Sequence, residues 1–302
     1  MIPLIGREDI VNLLTVDDCI AAVEDVFRSG GEATSLALGH FHVKAAIVGG
    51  RIAVKVNGNF PDNPAKHGLP TIQGVIVLAD AEKGTPLAFL DSIEITAMRT
   101  AAASAIAAKH LARKDAKTIT IVGCGIQGQA QLAAMRRVRN IERVFAVDVD
   151  GVKAAALGEV RSFDDAARDS DIIVTCTTST TPFLRAEHLH PGLFITAVGA
   201  DNPRKSEIEP AALARCRVVV DVLEQAATMG DLHHAIEAGV MTREQVFGSL
   251  ADVIHGRGRT SDDEIFVFDS TGTALQDVAV ASMAFERWCR TSSQLVHRQM
   301  TT

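Results

Sequence analysis

Four groups of residues in this 302-residue chain have the chemistry of a reaction site. The first is Gly123-Cys124-Gly125-Ile126-Gln127-Gly128, a G-x-G-x-x-G loop placed directly after the apolar run Thr118-Ile119-Thr120-Ile121-Val122. In that context the first glycine permits a tight turn, the second lets backbone approach a pyrophosphate, and the third lets helix and strand pack closely. A helix opening near Gln127 would turn unpaired N–H groups and the positive end of its dipole toward the phosphates. About 20 residues on, Asp148 closes the next strand, where a carboxylate binds ribose hydroxyls and repels a 2′-phosphate. The combination predicts NAD, with NADP less favoured. The alternative is a strand–turn–helix whose glycines serve the turn alone.

The other three groups are single charged side chains. Lys55 sits in the middle of the strand-like run Ile52-Ala53-Val54-Lys55-Val56. Facing inward, it needs an anion or a lowered pKa; facing outward, it is an ordinary surface lysine. Arg99 lies near the start of an alanine-rich helix, where its planar fork of donors suits a carboxylate or simply meets solvent. Asp201 follows the apolar run Leu193–Gly199, at the strand end where open α/β sheets bind ligands, although aspartate there is also a common turn former.

The elements that must carry these groups come in two textures. An early helix opens at Asp17-Asp18 and closes at Gly30-Gly31. From Leu36 to Leu90 the texture is β, and Asp91 followed by Glu94 predicts a capping box for a helix running to about Arg113. Beyond it, apolar strands at Ile119–Gly123, Val144–Asp148, Asp171–Thr178, Leu193–Gly199, Val218–Val222 and Ile265–Asp269 alternate with helices near 127–139, 163–169, 206–215 and 231–254. That rhythm predicts an α/β class with a doubly wound parallel sheet of Rossmann type, and a last helix from Asp277 to about His297. The unit after Asp148 is short. The boundary between textures is expected near Lys114–Lys117.

Composition removes several other classes. With 47% apolar and 22% charged residues the chain can build an ordinary core. A net charge of −7 without a basic run argues against nucleic acid. The most apolar helical stretch, Met98–Leu111, is interrupted by Arg99 and Lys109 and is no membrane span, and the first residues lack the pattern of a signal peptide. Five scattered cysteines fit reduced thiols in the cytoplasm, and Cys124 reads as a small residue in a turn. His233-His234 has no second ligand pair at zinc spacing, so no metal is expected.

Taken in order, the motifs make the sequence resemble the ornithine cyclodeaminase/μ-crystallin family, which also contains alanine dehydrogenases and cyclic ketimine reductases. They include Leu69-Pro70-Thr71-Ile72-Gln73-Gly74, Gly84-Thr85-Pro86-Leu87-Ala88 and Thr96-Ala97-Met98-Arg99-Thr100-Ala101-Ala102. Farther on come Gly199-Ala200-Asp201, Gly230-Asp231-Leu232, Phe268-Asp269-Ser270-Thr271-Gly272 and Ala274-Leu275-Gln276-Asp277. The resemblance implies a Rossmann domain, residues 114–277, inserted into a substrate-binding and dimerisation domain made of residues 1–113 and 278–302. It implies a homodimer with a small amino or imino acid bound between the domains.

It also implies roles. Lys55 would hold the substrate carboxylate and serve acid–base work near the imine nitrogen; Arg99 would bind the same carboxylate or the adjacent cofactor; Asp201 would handle the amine or an attacking water. Lys205 and Ser270 would lie near the nicotinamide, Thr177, Thr178 and Ser179 along the cofactor groove, and Thr100 beside the phosphates. One departure stands out: the family arginine of a Pro-x-Arg pattern is absent from Leu36-Ala37-Leu38-Gly39-His40-Phe41-His42, leaving His40 or His42 as its replacement, or as packing. The activity implied is hydride transfer at a carbon–nitrogen bond. The alternatives are cyclodeamination of ornithine to proline, with NAD recycled, and a non-enzymatic ligand-binding protein that keeps NAD as a structural element.

Overall fold

The alternation of apolar residues between Glu32 and Asp91 produces one sheet in the computed structural model, which describes residues 2–60 and 62–300; residues 1, 61, 301 and 302 lie outside the described residues. Strands β1 (Leu4–Ile5), β2 (Glu32–Leu38), β3 (Phe41–Val48), β4 (Arg51–Asn59), β5 (Ile72–Asp80) and β6 (Pro86–Asp91) are ordered β1-β6-β5-β4-β3-β2. All pairs are antiparallel except β1 with β6. Period-two burial along β4 places Ala53 and Lys55 on the covered face. The C-terminal helix, Ala274–Met300, covers β3 and β4 and packs against helix Val16–Ser29. The edge strand β2 is exposed along its whole length.

Two local expectations change. The early helix is capped by Thr15, whose hydroxyl accepts from the Asp18 amide in a reciprocal box, rather than opening at Asp17. Glu94 is no capping partner: it accepts from Arg7 at 2.7 Å, while Asp91 alone accepts from the Ile93 amide at 2.9 Å.

The second sheet contains β7 (Thr118–Val122), β8 (Arg143–Val147), β9 (Glu159–Val160), β10 (Ile172–Thr175), β11 (Phe194–Ala197), β12 (Arg217–Val220), β13 (Gly248–Ser249) and β14 (Phe266–Asp269). Their order is β13-β12-β14-β11-β10-β7-β8-β9 and every pair is parallel. Strands β10, β11 and β14 are buried at every residue, the continuous burial of a sheet covered on both faces. From β7 the chain winds to β8 and β9 on one side, then returns through β10 on the other. The reversal point is therefore the crevice between β7 and β10, where open α/β sheets bind ligands. The unit after Asp148 is short, as expected: helix Gly151–Leu157, then β9.

Two expected helices are broken. Residues 206–208 are extended, with an isolated bridge between Ile208 and Leu184, and only Pro210–Leu213 is helical. The helix expected over 231–254 stops at Glu237, because Gly239 takes φ +68°, and β13 precedes a separate helix, Leu250–Ile254.

The chain forms two compact units: one takes the chain up to Arg99 and again from Thr273, the other is Thr100–Gly272. The divisions thus fall inside helix Ser92–Leu111 and ahead of the C-terminal helix, not at Lys114 and Asp277. The physical reason is burial. Ala101, Ala105 and Ala108 are covered, and Ser104 accepts a hydrogen bond from Thr196 of β11 at 3.0 Å, so this half of the helix belongs with the parallel sheet. Among the described residues no helix is long and apolar enough to cross a membrane.

Candidate active site

In the first unit the inward face of β4 and two helices bring together a buried cluster of charges. Lys55 Nζ donates to Asp277 Oδ1 at 2.8 Å and lies 2.7 Å from Oδ2. Arg99 Nε donates to the same Oδ1 at 3.0 Å, and its Nη1 donates to Gln276 Oε1 at 2.7 Å. Lys55 is 3% exposed and Asp277 1%. A polar rim surrounds them: Thr96 Oγ1 lies 3.4 Å from both Lys55 Nζ and Asn57 Nδ2, and Ser92 donates to Asn57 Oδ1 at 2.6 Å. Lys55 and Arg99, singled out in the sequence, are brought together on one carboxylate.

The charges shift one another. Burial pushes Lys55 down, to about 7, with Arg99 and Lys44 adding to the fall and Asp277 opposing it. Burial pushes Asp277 up, but Lys55 and Arg99 outweigh it and hold the carboxylate below its ordinary value. Two cations on one carboxylate leave positive charge that a second carboxylate would neutralise. This arrangement suits an anionic ligand, and a Lys55 that changes charge near neutrality can also move a proton.

The third cation is not the residue expected. His40 lies in the turn between β2 and β3, where its ring meets Phe60 at 5.3 Å. The register pairs Lys44, not His40, directly opposite Lys55, with Asn57 opposite His42. His40 is four positions along the hairpin, about 13 Å at strand spacing. Lys44 is 8% exposed, and a like charge directly opposite Lys55 is unfavourable without an anion nearby. Asp277, Asn57, Thr96 and Lys44 were missed as site residues. The available clue was Lys55 itself, whose burial required an acidic partner somewhere in the chain.

In the second unit the three glycines of the loop have three separate reasons to be glycine. Gly123 has φ +95°, and a Cβ there would lie 2.7 Å from the Cys176 carbonyl oxygen. A Cβ on Gly128 would lie 2.1 Å from the Gly123 carbonyl oxygen, the close packing of helix on strand. A Cβ on Gly125 would meet nothing within 4 Å. Side-chain-free space therefore lies in front of helix Ile126–Val138, whose N-cap Gly125 offers no side chain to its first amides. Ile126 is exposed there, and Gln127 Nε2 is buried without a hydrogen-bond partner. Asp148 borders the loop: its Oδ2 accepts from the Cys124 amide at 2.6 Å and its Oδ1 from the Asp150 amide at 2.8 Å.

Other expected residues are already engaged. Asp201 pairs with Lys205 at 2.8 Å, so these two come together after β11. Thr177 Oγ1 donates to Glu207 at 2.8 Å, and Ser179 Oγ donates to the Thr181 carbonyl at 2.7 Å. Thr178 lies between them in the same loop. Ser270 Oγ donates to Asp221 at 3.1 Å, and Thr100 is buried. Burial pushes the Cys124 thiol up to about 11, which fits its reading as a packing residue. His233 and His234 gain a neighbour the sequence did not suggest: Glu237, one turn on, brings the three ligand atoms within 4.8 Å of one another. His234 Nε2 is already 2.8 Å from the Lys205 carbonyl oxygen.

Comparison with known proteins gives the family and the fold. The model of the ornithine cyclodeaminase/mu-crystallin family matches residues 7–292. An alanine dehydrogenase of Archaeoglobus fulgidus is 38% identical over 304 residues, covering 94% of each chain. An archaeal alanine dehydrogenase dimer with bound NAD superposes with a TM-score of 0.90 at 36% identity, over 96% of both chains. The Thermococcus litoralis Delta(1)-pyrroline-2-carboxylate reductase in complex with NADH and L-proline gives a TM-score of 0.91 at 30% identity, over 97% of this chain and 98% of that one.

Two stability outcomes follow from this geometry. Asp277→Asn removes the shared partner of two buried cations and is expected to cost about 3–5 kcal/mol in urea unfolding at pH 6. The loss should shrink at pH 9, where Lys55 is neutral; an equal loss at both pH values would contradict the charge argument. Gly128→Ala is expected to lower stability by roughly 1–3 kcal/mol through overpacking against Gly123, measured by thermal melting.

Proposed function

Because the chain belongs to the ornithine cyclodeaminase/mu-crystallin family, we propose that it is an NAD-dependent oxidoreductase acting on the carbon–nitrogen bond of a small amino or imino acid. The observation that carries this reading is the buried Lys55–Asp277–Arg99 cluster, a cationic seat for one further carboxylate. Relatives that bind NAD with alanine dehydrogenase activity, or NADH with L-proline, support the substrate class.

The open space at Gly125, the helix N-terminus behind it and Asp148 fit a dinucleotide, and the carboxylate favours NAD over NADP. When bound, the nicotinamide supplies or accepts the hydride. The chain's own groups do the rest. Lys55 and Arg99 bind the substrate carboxylate and fix its orientation. In the reducing direction the imine carbon takes the hydride and the nitrogen takes one proton, for which Lys55 is poised near neutrality and Asp201 is the second candidate. Lys205, Ser270, Thr100, Thr177, Thr178 and Ser179 are assigned to the cofactor side.

We place the enzyme in the cytoplasm, where its five cysteines, none of them in a disulfide among the described residues, would stay reduced. We also propose a homodimer formed through the β2 edge, where Leu36 and Leu38 are 56% and 57% exposed on a strand with an unpaired side. An alanine dehydrogenase relative is a dimer.

The deciding experiment is an NADH-oxidation screen of cyclic imino acids, and of 2-oxo acids with ammonia, run beside an ornithine-to-proline assay. Turnover of an imino acid is expected; proline formation from ornithine without net NADH change would favour the cyclodeaminase reading instead. NADH binding without turnover in any assay would leave only the non-enzymatic one. Lys55→Met should cut kcat/KM by about 10²–10⁴-fold with NADH affinity retained, and Gly125→Val should do the reverse. Propionate, a carboxylate without an amine, should bind most tightly below pH 7 and weaken roughly tenfold per pH unit above it as Lys55 loses its charge. Flat binding across pH 6–9 would remove Lys55 from the seat. Light scattering should give a dimer that Leu36→Asp with Leu38→Asp dissociates.

A further inference from the structure

One densely hydrogen-bonded buried side chain of the second unit belongs to none of the groups above. Glu207 Oε1 accepts from the Thr177 amide at 2.7 Å and the Thr177 hydroxyl at 2.8 Å. Its Oε2 accepts from the Thr175 hydroxyl at 2.7 Å and the Gly199 amide at 3.0 Å. One fully buried carboxylate thus holds the end of β10 and the end of β11, next to the crevice between β7 and β10. The approach is so close that a Cβ on Gly199 would lie 2.4 Å from Glu207 Oε1. Gly199 leads directly to Asp201, and Thr177 opens the loop assigned to the cofactor groove.

We propose that Glu207 is a positioning residue for the nucleotide-binding edge: ionised, it clamps the loops after β10 and β11 at one spacing, and cofactor affinity depends on that clamp. The link to the cofactor rests on the dinucleotide reading above; the clamp itself does not. All four neighbours are donors, so the ionised carboxylate satisfies each of them. Protonation turns one oxygen into a donor, so at least one of the four bonds must break or, at a threonine hydroxyl, reverse, and the remaining oxygen accepts more weakly from the two amides.

The charges around it make this transition accessible near neutrality. From helix Asp231–Glu237, Asp231 faces it: Asp231 Oδ1 accepts from the Glu207 and Ile208 amides at 2.8 and 2.9 Å. From the end of β10 comes the Cys176 thiol, itself pushed up by burial and by Glu207. Behind Asp231 lies Asp269 of β14, which accepts from the Leu232 amide at 2.8 Å, and after β11 stands the Asp201–Lys205 pair. Burial and the Asp231 charge push Glu207 up to about 7, against the pull of Thr175 and Thr177. The ionised form, and with it the clamp, is present above that pH and is lost as pH falls through it.

The test has two arms on the full chain. NADH binding followed by fluorescence should weaken about tenfold from pH 8 to pH 6, the fall in the ionised fraction of a group with this midpoint. Glu207→Gln should bind weakly with a flat profile. Thr175→Val deletes one donor with little change of shape and should move the midpoint upward, which keeps the test open if Glu207→Gln fails to fold. The second arm is amide exchange of the segments containing Thr177 and Gly199, corrected for the intrinsic pH dependence of exchange. Protection should drop below pH 7 in the natural chain and be absent at every pH in Glu207→Gln. Wild-type and Thr175→Val chains with the same midpoint, or protection independent of pH, would overturn the proposal. Failure of NADH to bind at any pH would instead sink the dinucleotide reading and the cofactor link, with the exchange arm still deciding the clamp.

Discussion

Everything proposed for the substrate side depends on one carboxylate, Asp277, held between two buried cations. A lysine at 3% exposure in the middle of a sheet cannot keep its proton unaided, because desolvation of an ammonium costs several kcal/mol. Asp277 supplies enough compensation to keep Lys55 titrating near neutrality, and too little to fix it as a permanent cation. Pairing it with Arg99 as well divides that compensation again. The cluster is therefore electrostatically incomplete, which separates a binding seat from a structural ion pair.

The second unit applies the same physics with the opposite sign. Its edge gathers buried carboxylates (Glu207, Asp231, Asp269) whose hydrogen-bond donors are mostly backbone amides. Burial raises all three, and the hydrogen bonds they accept oppose that rise. Amides at strand ends and helix starts need acceptors, and a carboxylate can take several at once. In the first unit charge is left over for a ligand; in the second it is spread over loops that a ligand would touch.

The sequence made the parallel sheet and the glycine loop legible because both are local. Continuous apolar runs of four or five residues and a glycine pattern directly after one of them need no long-range information. Lys55 was legible as a question, a mid-strand charge that either faces inward and needs an anion or faces solvent. Its solution was not, since Asp277 lies 222 positions away in sequence. Lys44 was hidden for a related reason: its importance comes from the β3–β4 register, and a shift of one residue would have turned it to the other face. Glu207 gave no pattern at all. Its segment reads as the start of a helix, and only folding shows that Ser206 and Glu207 spend their polar groups on neighbouring strands and on Asp231. The unit boundary was misplaced because polar residues at 114–117 look like a junction, whereas burial of the alanine face extends the second unit back to Thr100.

The glycine loop carries a last consequence, one about descent. Two of its glycines are demanded by the polypeptide itself, since a methyl group at 123 or 128 collides with backbone whether or not anything is bound. The one at 125 is not: the fold would accept a side chain there without complaint. A descendant that gave up its cofactor would keep glycine at 123 and 128 under the same pressure as before and drift freely at 125. Of the three glycines, the one at 125 is the one whose loss the fold itself would not resist.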